Sequence, residues 1–287
     1  MKRWITGARP RTLPAAVVPV AIGAAAAVGA GSITWWRVVA CLVVSLALQV
    51  GVNYANDYSD GVRGTDDVRV GPVRLVASGL ASPKAVKTAA LSAFGVAAVA
   101  GLAVALDTSL WLLVVGVAAI AAGWGYTGGP RPYGYLGLGE LFVFVFFGLV
   151  ATAGTTFAAI EEVNGLSLLL GAAAGALACA LLVINNLRDI PTDREVGKNT
   201  LAVRLGDART RRFYVALVVV TFVLVAAAAL DRPTALIGLL AVPLAVRPCR
   251  AVLDGALGRS LIEVLAATGR LQLAFGAATA VGVAIGG

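Results

Sequence analysis

The architecture is set by the stretch LSLLLGAAAGALACALLVINNLRDIPTDREVGKNT, residues 166–200. Its first part, Leu166 to Leu187, carries no charge and meets the ~20 apolar residues that an α-helix needs to cross a bilayer. Gly171, Gly175 and the alanines between them are small enough to let a second helix approach closely, which is how helices associate in lipid. The run then turns polar within a few residues, through Asn185-Asn186-Leu187-Arg188-Asp189 to Asp193-Arg194-Glu195 and Lys198. A helix that crosses the membrane therefore delivers a dense set of acids and bases to one surface.

Eight further apolar runs of comparable length lie near residues 13–31, 38–54, 85–106, 110–126, 138–160, 213–230, 234–252 and 261–285. Together they predict an all-α polytopic membrane protein with about nine transmembrane helices in a single domain covering 1–287. Ser82-Pro83 reads as an N-cap with proline at the first helical position, and Asp231 before Pro233 reads similarly. Pro243 and Pro248 interrupt the run near 234–252. Composition agrees: 59% of the 287 residues are hydrophobic and 13% charged, against ~45–50% and ~25% in soluble domains. The opening Met1-Lys2-Arg3-Trp4 does not read as a cleavable signal, because the first apolar run starts late and contains prolines.

Histidine is absent, which removes the commonest general base and every histidine-dependent triad. The three cysteines, Cys41, Cys179 and Cys249, are far apart and show neither metal-ligand nor disulfide spacing. The net charge of +8 follows the loops instead of forming a nucleic-acid patch. If the spans alternate, 21 of the 23 Lys and Arg fall on one side, and only Arg37 and Arg232 on the other. The positive-inside rule then places the amino terminus and the acidic loops in the cytoplasm. The far side keeps short connections bearing Asp107, Glu161, Glu162 and Asp231.

The first acidic cluster, residues 53–67, is a weak counterpart of the second, 185–200. Asn53, Asn56/Asp57 and Asp60 are spaced i, i+3/i+4, i+7, and Asn186, Asp189 and Asp193 i, i+3, i+7, so each set lines one helical face. Clustered carboxylates repel and call for a cation. With no imidazole or thiolate nearby, a hard, oxygen-seeking ion fits, and Mg²⁺ is the best candidate. Arg63, Arg188 and Lys198 lie in the same loops and complement a polyphosphate. The competing readings are solvated acids paired to local arginines, and the coupling-ion site of a transporter. On the same side, residues 123–135 (GWGYTGGPRPYGY) end the fourth span. These aromatics are either headgroup-level belt residues or π faces that steady an allylic cation beside a leaving diphosphate. Glu140 follows at the start of the fifth span.

Asn56-Asp57-x-x-Asp60 with Asp66, Asp189-x-x-x-Asp193, the run 126–140 (YTGGPRPYGYLGLGE) and the opening RPRTLPA at 9–15 resemble the UbiA superfamily of intramembrane prenyltransferases. The likeness covers essentially the whole chain and is strongest toward the menaquinone-pathway branch that prenylates 1,4-dihydroxy-2-naphthoate. It implies a helical bundle around a central cavity, open sideways to lipid, in a bacterial inner membrane. It further implies polyprenyl diphosphate as donor, with loss of diphosphate and CO₂ giving demethylmenaquinone. By the same resemblance Asn56, Asp57, Asp60, Asp189 and Asp193 bind Mg²⁺, and Lys198, Arg131, Arg63, Arg188 and Asn186 bind the diphosphate. Asp60, Asp66 and Tyr126 are then catalytic, and Arg9, Arg11, Asn53 and Arg74 receive the acceptor. Relatives often carry a lysine near Arg131 or Tyr133, where this chain has none. Other aromatic acids, 4-hydroxybenzoate or homogentisate, are the alternative acceptors.

Overall fold

Helices begin and end where side chains or glycine satisfy the backbone groups left over at their termini. In the computed structural model, which describes residues 2–64 and 73–287, the Ser82 hydroxyl accepts the Ala85 N–H and Pro83 opens the helix that follows. Asn164 caps another through the Ser167 N–H at 2.8 Å, and Gly64, at φ 71°, closes the long helix before it in the left-handed conformation. Asp231 does not act as the expected cap. Arg232 occupies the N-cap position, and its guanidinium donates to the carbonyls of Ala25, Val28 and Val283.

All regular elements among the described residues are helical: α1 (Lys2–Ala8), α2 (Pro14–Ala27), α3 (Trp35–Arg63), α4 (Pro83–Asp107) and α5 (Trp111–Gly125); then α6 (Gly139–Ile160), α7 (Gly165–Glu195), α8 (Leu201–Leu205), α9 (Asp207–Ala228), α10 (Pro233–Leu253) and α11 (Arg259–Ile285). Seven of them, α3, α4, α6, α7, α9, α10 and α11, are long and apolar enough to cross a membrane. The bent pair α1–α2, with 53° between its halves, makes an eighth. The remaining expected span is α5, apolar but only 15 residues long. The chain is a multi-pass membrane protein.

α7 is the axis of the bundle: 78% of its apolar window is buried, against 28–44% in the other spans. Its small residues allow this. A Cβ added to Gly148 of α6 would lie 2.5 Å from the Gly175 Cα and 2.7 Å from the Gly171 carbonyl, so the two backbones touch. Beside that contact α6 widens into a π-helical stretch, Phe144–Val150. α2, α7, α9, α10 and α11 enclose the main apolar core, and α3 to α6 wall off a cavity beside it. At the opposite end from the acidic clusters, Arg37 clasps Asp107 at 2.7 Å and Glu161 at 2.8 Å. Both arginines assigned to the far side are thus consumed by internal bonds.

Candidate active site

α3 and α7 continue as helix well past the apolar runs, to Arg63 and Glu195. The helical offsets predicted for the acids are therefore real, and both clusters face one cavity of about 930 Å³. Asn53, Asn56 and Asp60 line it from α3, and Asn185, Asn186, Asp189 and Asp193 from α7. Lys198 reaches in from the loop after α7, and Arg9, Arg11 and Arg74 from the segments that cover the mouth. The two clusters touch directly: Lys198 Nζ stands 3.2 Å from Asp60 Oδ1. The Tyr135 hydroxyl donates to the same oxygen at 2.7 Å, and Arg74 Nη2 faces Asp60 Oδ2 at 3.7 Å.

Lys198 also lies over the Tyr135 ring, 4.7 Å from its centroid. Burial pulls the Lys198 ammonium down, but the charges of Asp60, Tyr135 and Asp193 and the bond to Asp60 outweigh it, leaving the group above the ordinary lysine value. The contacts with Asp60 and Tyr135 thus favour the charged form of Lys198 between the clusters. The Thr127 hydroxyl donates to Asn56 Oδ1 at 2.7 Å, and Asn186 Nδ2 donates to the buried Glu140 carboxylate at 2.9 Å, so both amides have set orientations. Asn53 donates to the Ala8 carbonyl and the Thr12 hydroxyl, fastening the α1–α2 bend over the mouth.

Four expected ligands are not on the cavity wall. Asp57 is fully buried and accepts the Leu75 and Val76 backbone N–H groups. Arg63 donates to the carbonyls of Thr127 and Gly129 and lies over the Tyr135 ring, tying α3 to the α5–α6 loop. Arg188 forms a two-pronged pair with its neighbour Asp189, at 2.7 and 2.9 Å. Arg131 is exposed on the outside of the α5–α6 loop. Asp66 lies outside the described residues.

Away from the charges the cavity becomes apolar and runs between α5 and α6, past Ile120, Val115, Phe146 and Val150. Its aromatic wall starts at Tyr126, edge-on to Tyr133 at 5.5 Å, and continues through Tyr133 stacked on Phe142 at 3.9 Å. Tyr135 and Thr127 belong to the aromatic stretch 123–135, while nothing in the sequence sets the phenylalanines of α6 apart from ordinary span residues. Among the described residues no group of three or more acidic or cysteine side chains is assembled into a ready metal cluster. The donors that do converge are amide and carboxylate oxygens, which suit a hard divalent cation once Lys198 and Arg74 turn to other partners.

A polar mouth bearing two acid clusters over an apolar cleft in a helical membrane bundle is the design of an intramembrane transferase for a lipid-tailed anionic substrate. The chain belongs to the UbiA prenyltransferase family, whose sequence model matches residues 16–254. It is 52% identical over 284 residues to the 1,4-dihydroxy-2-naphthoate octaprenyltransferase of Mycobacterium tuberculosis, covering 99% of this chain and 97% of that one. Among solved structures it resembles a UbiA homolog from Aeropyrum pernix, with TM-score 0.74 and 18% identity over 94% of this chain and 97% of that one. It also resembles a UbiA homolog from Archaeoglobus fulgidus bound to GPP and Mg²⁺, with TM-score 0.65 and 17% identity over 97% and 99%.

Proposed function

We propose that this protein transfers a polyprenyl group from polyprenyl diphosphate to 1,4-dihydroxy-2-naphthoate, the acceptor-specific step of menaquinone synthesis. Residues 1–287 act as one domain in the bacterial cell membrane, with the acidic face toward the cytoplasm. The observation that carries this reading is the Lys198–Asp60 pair, which joins the two acid clusters at the head of an apolar cleft. The name and close identity of the mycobacterial relative support the acceptor.

Asn56, Asp60, Asp189 and Asp193, whose oxygen donors line one cavity, are the residues that would hold Mg²⁺, an ion with which the Archaeoglobus homolog was solved. When bound, the ion neutralises charge on the departing diphosphate, worth several kcal/mol. Lys198 and Arg74 leave Asp60 to take diphosphate oxygens, and Asn186 offers a further polar contact. The tail lies along the cleft between α5 and α6. Tyr126, Tyr133 and Phe142 turn π density toward the allylic carbon as its bond to oxygen breaks. Arg9 and Arg11, with Asn53 behind them, receive the acceptor's carboxylate. The ring carbon bonds to the allylic carbon, diphosphate leaves with the electrons of the broken C–O bond, and the carboxylate departs as CO₂, restoring aromaticity. Asp60, or Asp66 as the second candidate, takes a phenolic proton during attack and returns it to the same oxygen as CO₂ leaves and the ring becomes aromatic again.

The test is turnover by purified protein in lipid nanodiscs with Mg²⁺, a long-chain prenyl diphosphate and each aromatic acid in turn. Demethylmenaquinol, the prenylated hydroquinone that air then oxidises to demethylmenaquinone, is the expected product from dihydroxynaphthoate. Turnover only with 4-hydroxybenzoate or homogentisate would assign another acceptor, and solute flux without chemistry would restore the transporter reading.

A further inference from the structure

Asp57 belongs to the first acidic cluster by sequence but faces away from its cavity. It is 0% exposed. Its Oδ2 accepts the Leu75 N–H at 2.7 Å and its Oδ1 the Val76 N–H at 3.0 Å. Both carboxylate oxygens are thus spent on the backbone of one short segment of the α3–α4 connection. That segment is also keyed sterically to its surroundings. Val76 fits a notch at Gly61, where an added Cβ would lie 2.6 Å from the Val76 Cβ. Leu75, fully buried, fills a second notch at Gly7 of α1, 2.6 Å from where a Cβ would be.

The residue just before these two anchors is Arg74, which lines the cavity and faces Asp60 Oδ2 at 3.7 Å. With Leu75 and Val76 fixed on α3, the backbone at position 74 has little freedom, so the guanidinium is presented to the cavity at low entropic cost. We infer that Asp57 is a positioning residue, not a metal ligand: it docks Leu75 and Val76 so that Arg74 stands over the diphosphate end of the cavity. Its negative charge serves two neutral N–H donors in a buried site, where such bonds are strongest. Asp57 is fully buried and off the cavity wall, so a cation held in the cavity by Asn56 and Asp60 is out of its reach. The same anchor links the connection to α1, since Gly7 packs on Leu75 and the Tyr54 hydroxyl donates to the Trp4 carbonyl. The function assigned to Arg74 here rests on the prenyl diphosphate reading above. The docking itself does not.

The experiment compares wild type with Asp57→Asn, Asp57→Ala, Arg74→Ala, Asp57→Asn/Arg74→Ala and Asp60→Asn in nanodiscs. Farnesyl diphosphate is varied at saturating Mg²⁺, and Mg²⁺ at saturating farnesyl diphosphate. Asparagine keeps one acceptor but turns an N–H₂ toward a backbone donor, so Asp57→Asn should raise KM for the diphosphate roughly tenfold or more, lower kcat by less, and leave the Mg²⁺ requirement in place. The double variant should be no worse than Arg74→Ala alone, because Asp57 acts through Arg74. Hydrogen exchange of the peptide covering residues 73–81 should quicken in Asp57→Asn and Asp57→Ala but not in Arg74→Ala. A Mg²⁺ requirement shifted as in Asp60→Asn, additive losses in the double variant, or unchanged exchange would each overturn the assignment. Failure of the wild type to turn over would defeat the functional reading, yet the exchange arm would still decide whether Asp57 docks the segment.

Discussion

Asp60 joins the two clusters: Lys198, Tyr135 and Arg74 all converge on its two oxygens. Asp60→Ala and Asp189→Ala should each lower prenyl transfer by about 10²-fold or more, the loss of ~3 kcal/mol of transition-state stabilisation, while thermal unfolding in detergent still shows a folded protein. Near wild-type turnover in either would remove that residue from the chemistry. Arg131→Ala should keep its turnover within about threefold, because Arg131 is exposed and off the cavity wall. A large loss would mean the α5–α6 loop folds inward during catalysis. That Asn56, Asp60, Asp189 and Asp193 line one cavity was legible in the sequence because polar residues at helical spacing share a face, and Lys198 stood out as a base in the loop that directly follows the second set. Asp57 was not separable from Asn56 by composition, since it stands only about 100° further round the helix. Which way that turns it depends on the docked segment around Leu75, and pattern alone does not show that. Arg63 and Arg188 lie off the cavity wall for a related reason: a guanidinium beside an acid cluster serves loop carbonyls or a neighbouring carboxylate as readily as a phosphate.

At the scale of elements, α6 is the one to disturb. At Gly148 its contact with α7 is backbone against backbone, against Gly171 and Gly175, with no flexible side chain there to yield. Gly148→Ala should therefore destabilise the protein by about 1–3 kcal/mol, seen as a lower midpoint of thermal unfolding. An unchanged midpoint would show that the helices can part without cost. Because Phe142, Phe146 and Val150 of the same helix line the cleft, turnover should fall along with stability. The apolar segments were readable from length and hydrophobicity, although α5 is short for a span. The interruption expected at Pro243 and Pro248 does not occur: α10 runs through both, with Pro243 in its first α-helical turn after Ala241. The π-helical winding of Phe144–Val150 and the 3₁₀ winding of Pro233–Ala241 were not readable. Both occur inside uniformly apolar runs, where no polar residue marks the change of pitch.

For the whole molecule, the account requires both acid clusters to open to the same compartment, and the charge bias predicts that it is the cytoplasm. In a cysteine-free background, Ser78→Cys and Glu162→Cys place labels at exposed positions on opposite faces. A membrane-impermeant maleimide added to intact spheroplasts should modify position 162 and spare position 78. The reverse pattern would invert the topology. The fold class followed from composition, but the shared cavity did not, because only tertiary packing brings residues 53–60 to residues 185–198. The most direct test of that convergence is electron–nuclear double resonance of the protein loaded with Mn²⁺ in place of Mg²⁺ and with farnesyl diphosphate. Wild type should show a bound manganese coupled to phosphorus, and Asp60→Ala and Asp189→Ala should each abolish that coupling. Persistence of the phosphorus coupling after loss of either aspartate would contradict a single diphosphate held by both clusters.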